Sequence, residues 1–201
     1  MFNDILDLIS QPPGSLVYHF VVLFAVEAAF AISLGQWLRD RNQSSARLTI
    51  AVLAIMLARL LVFVASLLAW QGYLPRNVLI PPIERASDTI SVLALGWAFI
   101  TMDDPQLLGR NLFVDVSAAV FTGMLLAGFG GTYYYWYYAA ASGELFNGLW
   151  LDLSWGGAQI FLAIAGLIWF MTRAKYAYDP ILKGLLLIVL GAGSALHLIR
   201  P

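Results

Sequence analysis

Six apolar stretches of about twenty residues each constrain the fold of this chain more than any other feature. They cover residues 16–38, 47–70, 82–101, 108–130, 153–172 and 180–199. A helix needs about 20 apolar residues to cross a bilayer. Backbone groups in lipid must be hydrogen-bonded internally, and the alternation expected of barrel strands is absent. We therefore predict an all-α integral membrane protein, with a transmembrane bundle of six helices in residues 15–201.

Composition supports a membrane protein and excludes several other classes. Hydrophobic residues make up 61% of the 201 residues and charged residues 11%, against about half and a quarter in soluble domains. A net charge of −1 offers no basic face to nucleic acid. The absence of cysteine excludes disulfides and thiolate metal sites. The chain has no Walker loop, nucleophile elbow, HExxH motif or kinase signature, so no catalytic residue is assigned.

The first fourteen residues differ from the rest. Apolar side chains recur at helical spacing in residues 2–9, with two aspartates and no basic residue, which is unlike a secretory signal. Residues 12–14 are Pro-Pro-Gly, a sequence that ends a helix. We predict a short helix in residues 1–14 that lies in the membrane interface.

The distribution of basic residues predicts the orientation. Seven of them lie at the first, third and fifth connections: Arg39, Arg41, Arg47, Arg110, Arg173, Lys175 and Lys183. The opposite side holds Arg76, Arg85 and Arg200. Because cytoplasmic connections are enriched in basic residues, we predict a multi-pass protein of the inner (plasma) membrane with both termini outside the cytoplasm.

Two ionisable residues lie near the centres of the first two spans. They are Glu27 and Arg59. A charged side chain at the centre of a bilayer is costly in free energy, so such a residue indicates a functional site unless it has a structural partner. The two helices are antiparallel and their charges lie at similar depth, so we predict an intramembrane ion pair, either as a structural staple or as part of a proton or ion path.

The third span opens with a charged face. Glu84, Arg85 and Asp88 are spaced to share it. We expect this face near the outer surface, either as a solvated helix end or as one rim of a pocket. Asp115 in the fourth span is expected to pair with Arg110 or with a neighbouring helix.

An aromatic run lies in what the apolar pattern makes the longest connection, residues 131–152. Six consecutive aromatic residues occupy positions 133–138. One interpretation is an aromatic belt at the headgroups; the other is a pocket for an apolar small molecule or lipid. The candidate pocket residues are His19, Glu84, Arg85, Asp88, Tyr135, Trp136, Asn147, Trp150, Asp152 and Trp155.

The two histidines, His19 and His197, are expected at the same outer depth. Two histidines on different helices could ligate a haem axially. The alternative is two interfacial side chains with ordinary hydrogen bonds, and on that interpretation the chain has neither a cofactor nor a metal.

Three segments carry a resemblance to a known family. They are LVYHFVVLFAVEAAFAISLGQW (16–37), PPIERASDTISVLALGWAFI (81–100) and LGAGSALHL (190–198). This pattern resembles the N-terminal multi-span module of bacterial membrane-bound sensor proteins of the histidine-kinase type, common in Chloroflexus-like bacteria. The resemblance implies about seven helices that precede cytoplasmic GAF, PAS or kinase domains, so this chain would be such a module without its last helix.

The expected function follows from this resemblance. We expect a sensory input module of a signal-transduction protein that detects a small apolar molecule, a lipid or the state of the membrane at its extracytoplasmic side. A small accessory subunit of a membrane complex is the alternative, and a secondary transporter is the third. The expected partners are membrane lipid and either a second copy of the chain or a subunit of a complex.

Overall fold

The computed structural model describes residues 14–100, 108–143 and 150–173, and these ranges are helical except at the connections. The described helices are α1 (Gly14–Asp40), α2 (Gln43–Trp70), α3 (Arg76–Ile100), α4 (Leu108–Ala141) and α5 (Trp150–Arg173). They overlap the first five predicted spans, although α3 begins earlier and α4 ends later than predicted. The predicted interfacial helix and the sixth span lie outside the described residues.

Three of the helices are long and apolar enough to cross a membrane. They are α1, α2 and the Asp115–Ala139 part of α4. Their lengths exceed the roughly 20 residues that a bilayer core requires. The described residues are therefore all-helical, as predicted, and three of their helices could cross a membrane by length and composition. The six spans remain a prediction.

Short connections make α1, α2 and α3 antiparallel neighbours. Asn42 caps α2, and its side chain accepts a hydrogen bond of 2.7 Å from the amide of Ser45. At the other end, Gly72 has a φ of +82°. The amides of Gly72 and Tyr73 bond to the carbonyls of Ala69 and Leu68, the pattern of a Schellman motif that needs glycine at this position. These two short turns fix which residues of α1, α2 and α3 lie at the same level along the bundle.

Helix α3 begins earlier than the apolar pattern predicts. Its first residue is Arg76, whereas the predicted span began at position 82, so Pro81 and Pro82 lie within the helix. Proline lacks an amide donor, so two carbonyls of the first turns lose their helical partners. The earlier start moves the charged face from the helix end toward the helix middle.

The best-buried part of the molecule lies between α2 and α3. Helix α2 packs against α1 and α3, and α3 also packs against α4 and α5. The buried apolar side chains on these two helices are Ala51, Val52, Ile55, Ala58, Val62, Ala65, Ile80, Val92, Leu95 and Ala98. Helix α3 is therefore the central element, because it packs against three other described helices and also contacts α1 through a side chain.

Helix α4 continues well beyond its predicted end. It runs to Ala141, so the aromatic run 133–138 is helical and is not part of a connection. Its 34 residues extend about 51 Å at 1.5 Å per residue. No described side chain within Asp115–Ala139 is buried. Most of α4 is therefore available to lipid.

Candidate functional site: a polar core inside the bundle

A cluster of polar and charged side chains lies inside the bundle, where the sequence predicted a single ion pair. We call this cluster the polar core. Its members are His19, Arg59, Glu84, Arg85, Asp88, Thr89 and Gln159. They come from α1, α2, α3 and α5, so the polar core joins four helices.

Arg59 pairs with Asp88, and the predicted pair of Arg59 with Glu27 is wrong. An Nη2 hydrogen of Arg59 is donated to Asp88 Oδ1, and both side chains are largely buried, at 13% and 8% exposure. Glu27 is exposed on the surface of α1. It lies about 80° around the helix axis from the buried stripe of that helix. The position of Glu27 along α1 therefore could not fix the direction of its side chain.

The second acid–base contact joins α1 to α3. His19 Nε2 lies 3.1 Å from Glu84 Oε1, and the two side chains are 8% and 16% exposed. Glu84 is one helical turn from Asp88, so both carboxylates lie on the same face of α3. That face contacts α1 through Glu84 and α2 through Asp88. The predicted shared face is confirmed, but it is buried inside the bundle and does not form an outer rim.

Gln159 connects α5 to the opposite side of α3. It is fully buried, at 0% exposure. Its Nε2 donates to the carbonyl of Arg85 at 3.2 Å and to Thr89 Oγ1 at 2.9 Å. Thr89 Oγ1 itself donates to the carbonyl of Arg85. Gln159 Oε1 has no hydrogen-bond partner among the described residues, so the amide is only half satisfied.

The formal charges of the polar core balance when His19 is neutral. Arg59 and Arg85 supply two positive charges, and Glu84 and Asp88 supply two negative charges. Arg85 and Asp88 are only 2% and 6% exposed, and a net charge at such positions would be strongly unfavourable in a low-dielectric interior. Protonation of His19 would add one positive charge to the polar core.

A second polar group attaches α4 to the bundle. Asp115 Oδ2 accepts from Arg47 Nη2 at 2.8 Å, and Asp115 Oδ1 accepts from the indole Nε1 of Trp97 at 2.8 Å. The guanidinium of Arg47 also lies 5.6 Å from the Trp97 ring centroid, within cation–π range. The expected contact of Asp115 with neighbouring helices is confirmed; the side chain of Arg110, the other expected partner, lies outside the described residues. We call these three residues the Asp115 anchor.

An apolar layer separates the polar core from the Asp115 anchor. It consists of Val52 and Ile55 on α2 and Val92 and Leu95 on α3, all at most 6% exposed. These residues lie between the two polar groups along both helices. The buried hydroxyl of Ser91, next to Val92, donates to the carbonyl of Ser87 within α3 and does not link the two polar groups.

The predicted outer pocket is not assembled as a single site. Its members on α1 and α3 belong to the buried polar core, whereas Tyr135 and Trp150 are 70% and 71% exposed. Trp155 packs edge-on against Phe129 at 5.4 Å between centroids. Trp136 lies on α4 and Asp152 on α5; Asn147 lies outside the described residues. The predicted pocket combined buried and exposed residues because it grouped them by their expected depth in the membrane, which does not determine the direction of a side chain.

The exposed tyrosines instead form a patch on α4. Its members are Tyr134, Tyr135, Tyr137 and Tyr138. Tyr134 and Tyr138 are one turn apart, with hydroxyl oxygens at 3.1 Å and ring centroids at 4.6 Å. Exposed tyrosines near a helix end are typical of an aromatic belt at the headgroups. The arrangement favours the belt interpretation.

The haem interpretation finds no support in the surroundings of His19. Its Nε2 atom is engaged by Glu84, and His197 lies outside the described residues. Among those residues, no group of three or more histidine, aspartate or glutamate side chains is arranged to hold a metal ion.

Four residues of these polar groups were missed by sequence reasoning: Thr89, Gln159, Arg47 and Trp97. Gln159 was not predicted because burying a neutral amide in an apolar span costs less free energy than burying a charge, so a single glutamine is a weaker signal of a polar site. Arg47 was assigned only to the orientation count, although it is 6% exposed. The signal that could have identified Gln159 is a hydrogen-bonding side chain inside an apolar span, because such side chains often bond to a neighbouring helix.

Comparison with family models, with curated proteins and with solved structures finds no match to this chain.

Proposed function

We propose that this chain is the membrane-embedded input module of a bacterial signalling protein and that its stimulus is the state of the bilayer at the extracytoplasmic side. Six spans would place both termini on that side. The observation that carries the proposal is the attachment of α4. This helix is exposed along its membrane-spanning part, and the Asp115 anchor holds it near its start.

This arrangement supports a response to bilayer thickness. The part of α4 that is apolar enough to cross a membrane, Asp115–Ala139, is about 38 Å long at 1.5 Å per residue. It exceeds a hydrocarbon core of about 30 Å, so it would accommodate thickness changes by tilting. The tyrosine patch would keep one end at the headgroups, and the Asp115 anchor would keep the other end at α2 and α3. A change in tilt would therefore act on α3, which also carries the polar core.

The experiment compares helix separations in bilayers of different thickness. The chain has no cysteine, so spin labels at Leu61→Cys on α2 and Tyr135→Cys on α4 report one distance without background. We expect this distance to differ between nanodiscs of 14-carbon and 22-carbon phosphatidylcholine (acyl lengths chosen to span about 30 Å). The control pair, Val17→Cys and Leu61→Cys, should keep its distance.

The anchor provides a matched variant. Asp115→Ala removes the acceptor of both anchor bonds, so the α2–α4 distance distribution should broaden and lose its dependence on lipid length. A sharp α2–α4 distance that is identical in all bilayers would contradict the proposal.

A secondary transporter is the second candidate, and the polar core is the observation that favours it. Charged residues at mid-membrane depth mark ion or proton pathways in many transporters. The apolar layer would then be the closed barrier on one side. In proteoliposomes with a potassium diffusion potential, a transporter of protons would show dye-detected flux that Asp88→Asn abolishes, whereas an input module would show no flux.

A further inference from the structure

The contact between His19 and Glu84 joins α1 to α3 near the start of α1. His19 Nε2 lies 3.1 Å from Glu84 Oε1, and both side chains are largely buried. One turn before His19, Ser15 Oγ accepts from Arg76 Nη2 at 3.5 Å, which is longer than an ordinary hydrogen bond. The backbone of α1 packs mainly against α2. The packing of α1 against α3 therefore depends strongly on the contact between His19 and Glu84.

Charged groups from two neighbouring helices lie around His19. The described titratable and charged groups near it are Tyr18 on its own helix, Arg59 on α2, and Arg76, Glu84, Arg85 and Asp88 on α3. Glu84 is the one in direct contact, and it is more exposed than Asp88, at 16% against 8%. Because Coulomb energy falls with distance, a positive charge on His19 would act mainly on Glu84, at the less buried edge of the polar core.

The contact requires a hydrogen on Nε2 of His19, since a carboxylate can only accept. A neutral imidazole carries a hydrogen on one of its two nitrogens, whereas a protonated imidazole carries one on each. Protonation therefore ensures the donor and turns the contact into an ion pair, in which the hydrogen bond is stronger than one from a neutral donor. Loss of the proton permits the other tautomer, which would place a nitrogen lone pair against the carboxylate.

We infer that His19 and Glu84 form a proton-binding site that controls the packing of α1 against α3. Histidine is the side chain that changes charge between about pH 5 and 8. A proton shifts an equilibrium between two packings only if it binds one of them better, and the packing that keeps Glu84 beside His19 is that one. Acid therefore holds α1 against α3, and alkali loosens it. This stimulus is separate from the response of α4 to bilayer thickness.

Spin labels on α1 and α3 test this packing directly. Val21→Cys on α1 and Asn77→Cys on α3 place both labels at exposed positions. We compare nanodiscs at about pH 5.5 and about pH 8.5, on either side of the range in which histidine changes charge. The distance distribution should be at least about twice as wide at the higher pH, because the contact then loses its ion-pair character. The control pair, Leu61→Cys on α2 with Asn77→Cys, should be unchanged.

Substitutions at the contact identify the group that binds the proton. His19→Gln keeps an amide donor but does not titrate, so the distribution should have the same width at both pH values. Glu84→Gln removes the attracting charge and should abolish the narrowing at low pH. Glu27→Gln is the matched control, because it neutralises an exposed carboxyl on the same helix and should leave the pH dependence intact.

The ring signals of His19 report its charge without any change in the polar core. The chain has two histidines, so a His197→Gln chain with isotope-labelled histidine shows the ring nitrogens of His19 alone. Their magnetic resonance shifts should change from the neutral to the protonated pattern between the two pH values.

Three outcomes would overturn the inference. The first is a His19 ring that stays in one charge state at both pH values. The second is an α1–α3 distance distribution that is identical at both. The third is a pH dependence that persists in His19→Gln, which would assign the proton to another group.

Discussion

At the scale of single residues, the polar core depends on which carboxylate reaches Arg59. Two acidic side chains, Glu27 and Asp88, lie close to its depth, one on each neighbouring helix of α2. Asp88 is buried and Glu27 is exposed, so only Asp88 neutralises the guanidinium. The pair also joins α2 to α3, which are the two best-buried helices.

Arg59→Ala should therefore destabilise the bundle strongly. It leaves Asp88 charged in the interior, and loss of one partner of a buried pair costs about 3–5 kcal/mol in the free energy of unfolding. The double variant Arg59→Leu with Asp88→Leu should recover much of that loss. Unfolding in mixed detergent micelles, followed by tryptophan fluorescence, measures both.

A second double variant distinguishes the two possible partners. If Glu27 were the partner, Arg59→Leu with Glu27→Leu would recover stability, and Arg59→Leu with Asp88→Leu would not. We expect the opposite result.

At the scale of elements, α4 and α5 are attached to α3 by polar contacts as well as by apolar packing. Gln159 bonds α5 to the backbone and to a hydroxyl of α3, and the Asp115 anchor holds α4. Side-chain hydrogen bonds of this kind fix the rotation and depth of helices whose apolar surfaces resemble lipid. Each contact can therefore be removed with a defined effect on one helix.

Two substitutions of Gln159 compare the loss of its hydrogen bonds with the introduction of a buried negative charge. Gln159→Met removes two donor contacts together with the unsatisfied Oε1, so we expect a loss of about 1 kcal/mol in the free energy of unfolding. Gln159→Glu replaces the donor with a buried carboxylate that faces the Arg85 carbonyl, and it should cost several times more. A glutamate variant as stable as the methionine variant would show that another donor reaches this position.

The anchor of α4 has a matched control on the surface. Asp115→Ala removes a charged acceptor from Arg47 and Trp97, and we expect a loss of about 1.5–3 kcal/mol. The pair of Arg39 with Asp40 has side-chain exposures of 76% and 35%, so Asp40→Ala should cost less than about 1 kcal/mol. Chemical denaturation of both variants in the same detergent gives the two values side by side; equal losses would mean that Asp115 does not anchor α4.

At the scale of the whole molecule, the bundle presents apolar surface outward and carries much of its polarity inside. Large apolar side chains are exposed on α1, α2 and α4, including Phe24, Leu61 and Met124 at 60–68%. The interior contains three arginines, two largely buried carboxylates and a fully buried glutamine. Such an arrangement is stable only in lipid, where exposed apolar surface carries no penalty.

The orientation of the bundle has a direct test. A membrane-impermeant maleimide added to intact cells should label Tyr73→Cys, in the connection between α2 and α3, and should leave Gln43→Cys at the start of α2 unlabelled until the cells are permeabilised. This follows from the positive-inside count. The reverse labelling pattern would invert every inside and outside assignment made here.

The sequence by itself determined the all-helical class, the approximate positions of the five described helices and the order of the charges along them. These properties follow from local patterns: the length of apolar runs sets the spans, and the residue number along a helix sets depth at 1.5 Å per residue. For the same reason Glu84 and Asp88 were correctly placed on one face.

Only the tertiary structure decided the partners of those charges. Pairing depends on the rotation of each helix about its axis and on which helices are adjacent, and both follow from packing across the whole bundle. Asp88 reaches Arg59 because α3 lies against α2, whereas Glu27 faces outward because α1 buries a different stripe. Packing therefore placed Asp88 in the polar core, Asp115 in the anchor and Glu27 on the exposed surface.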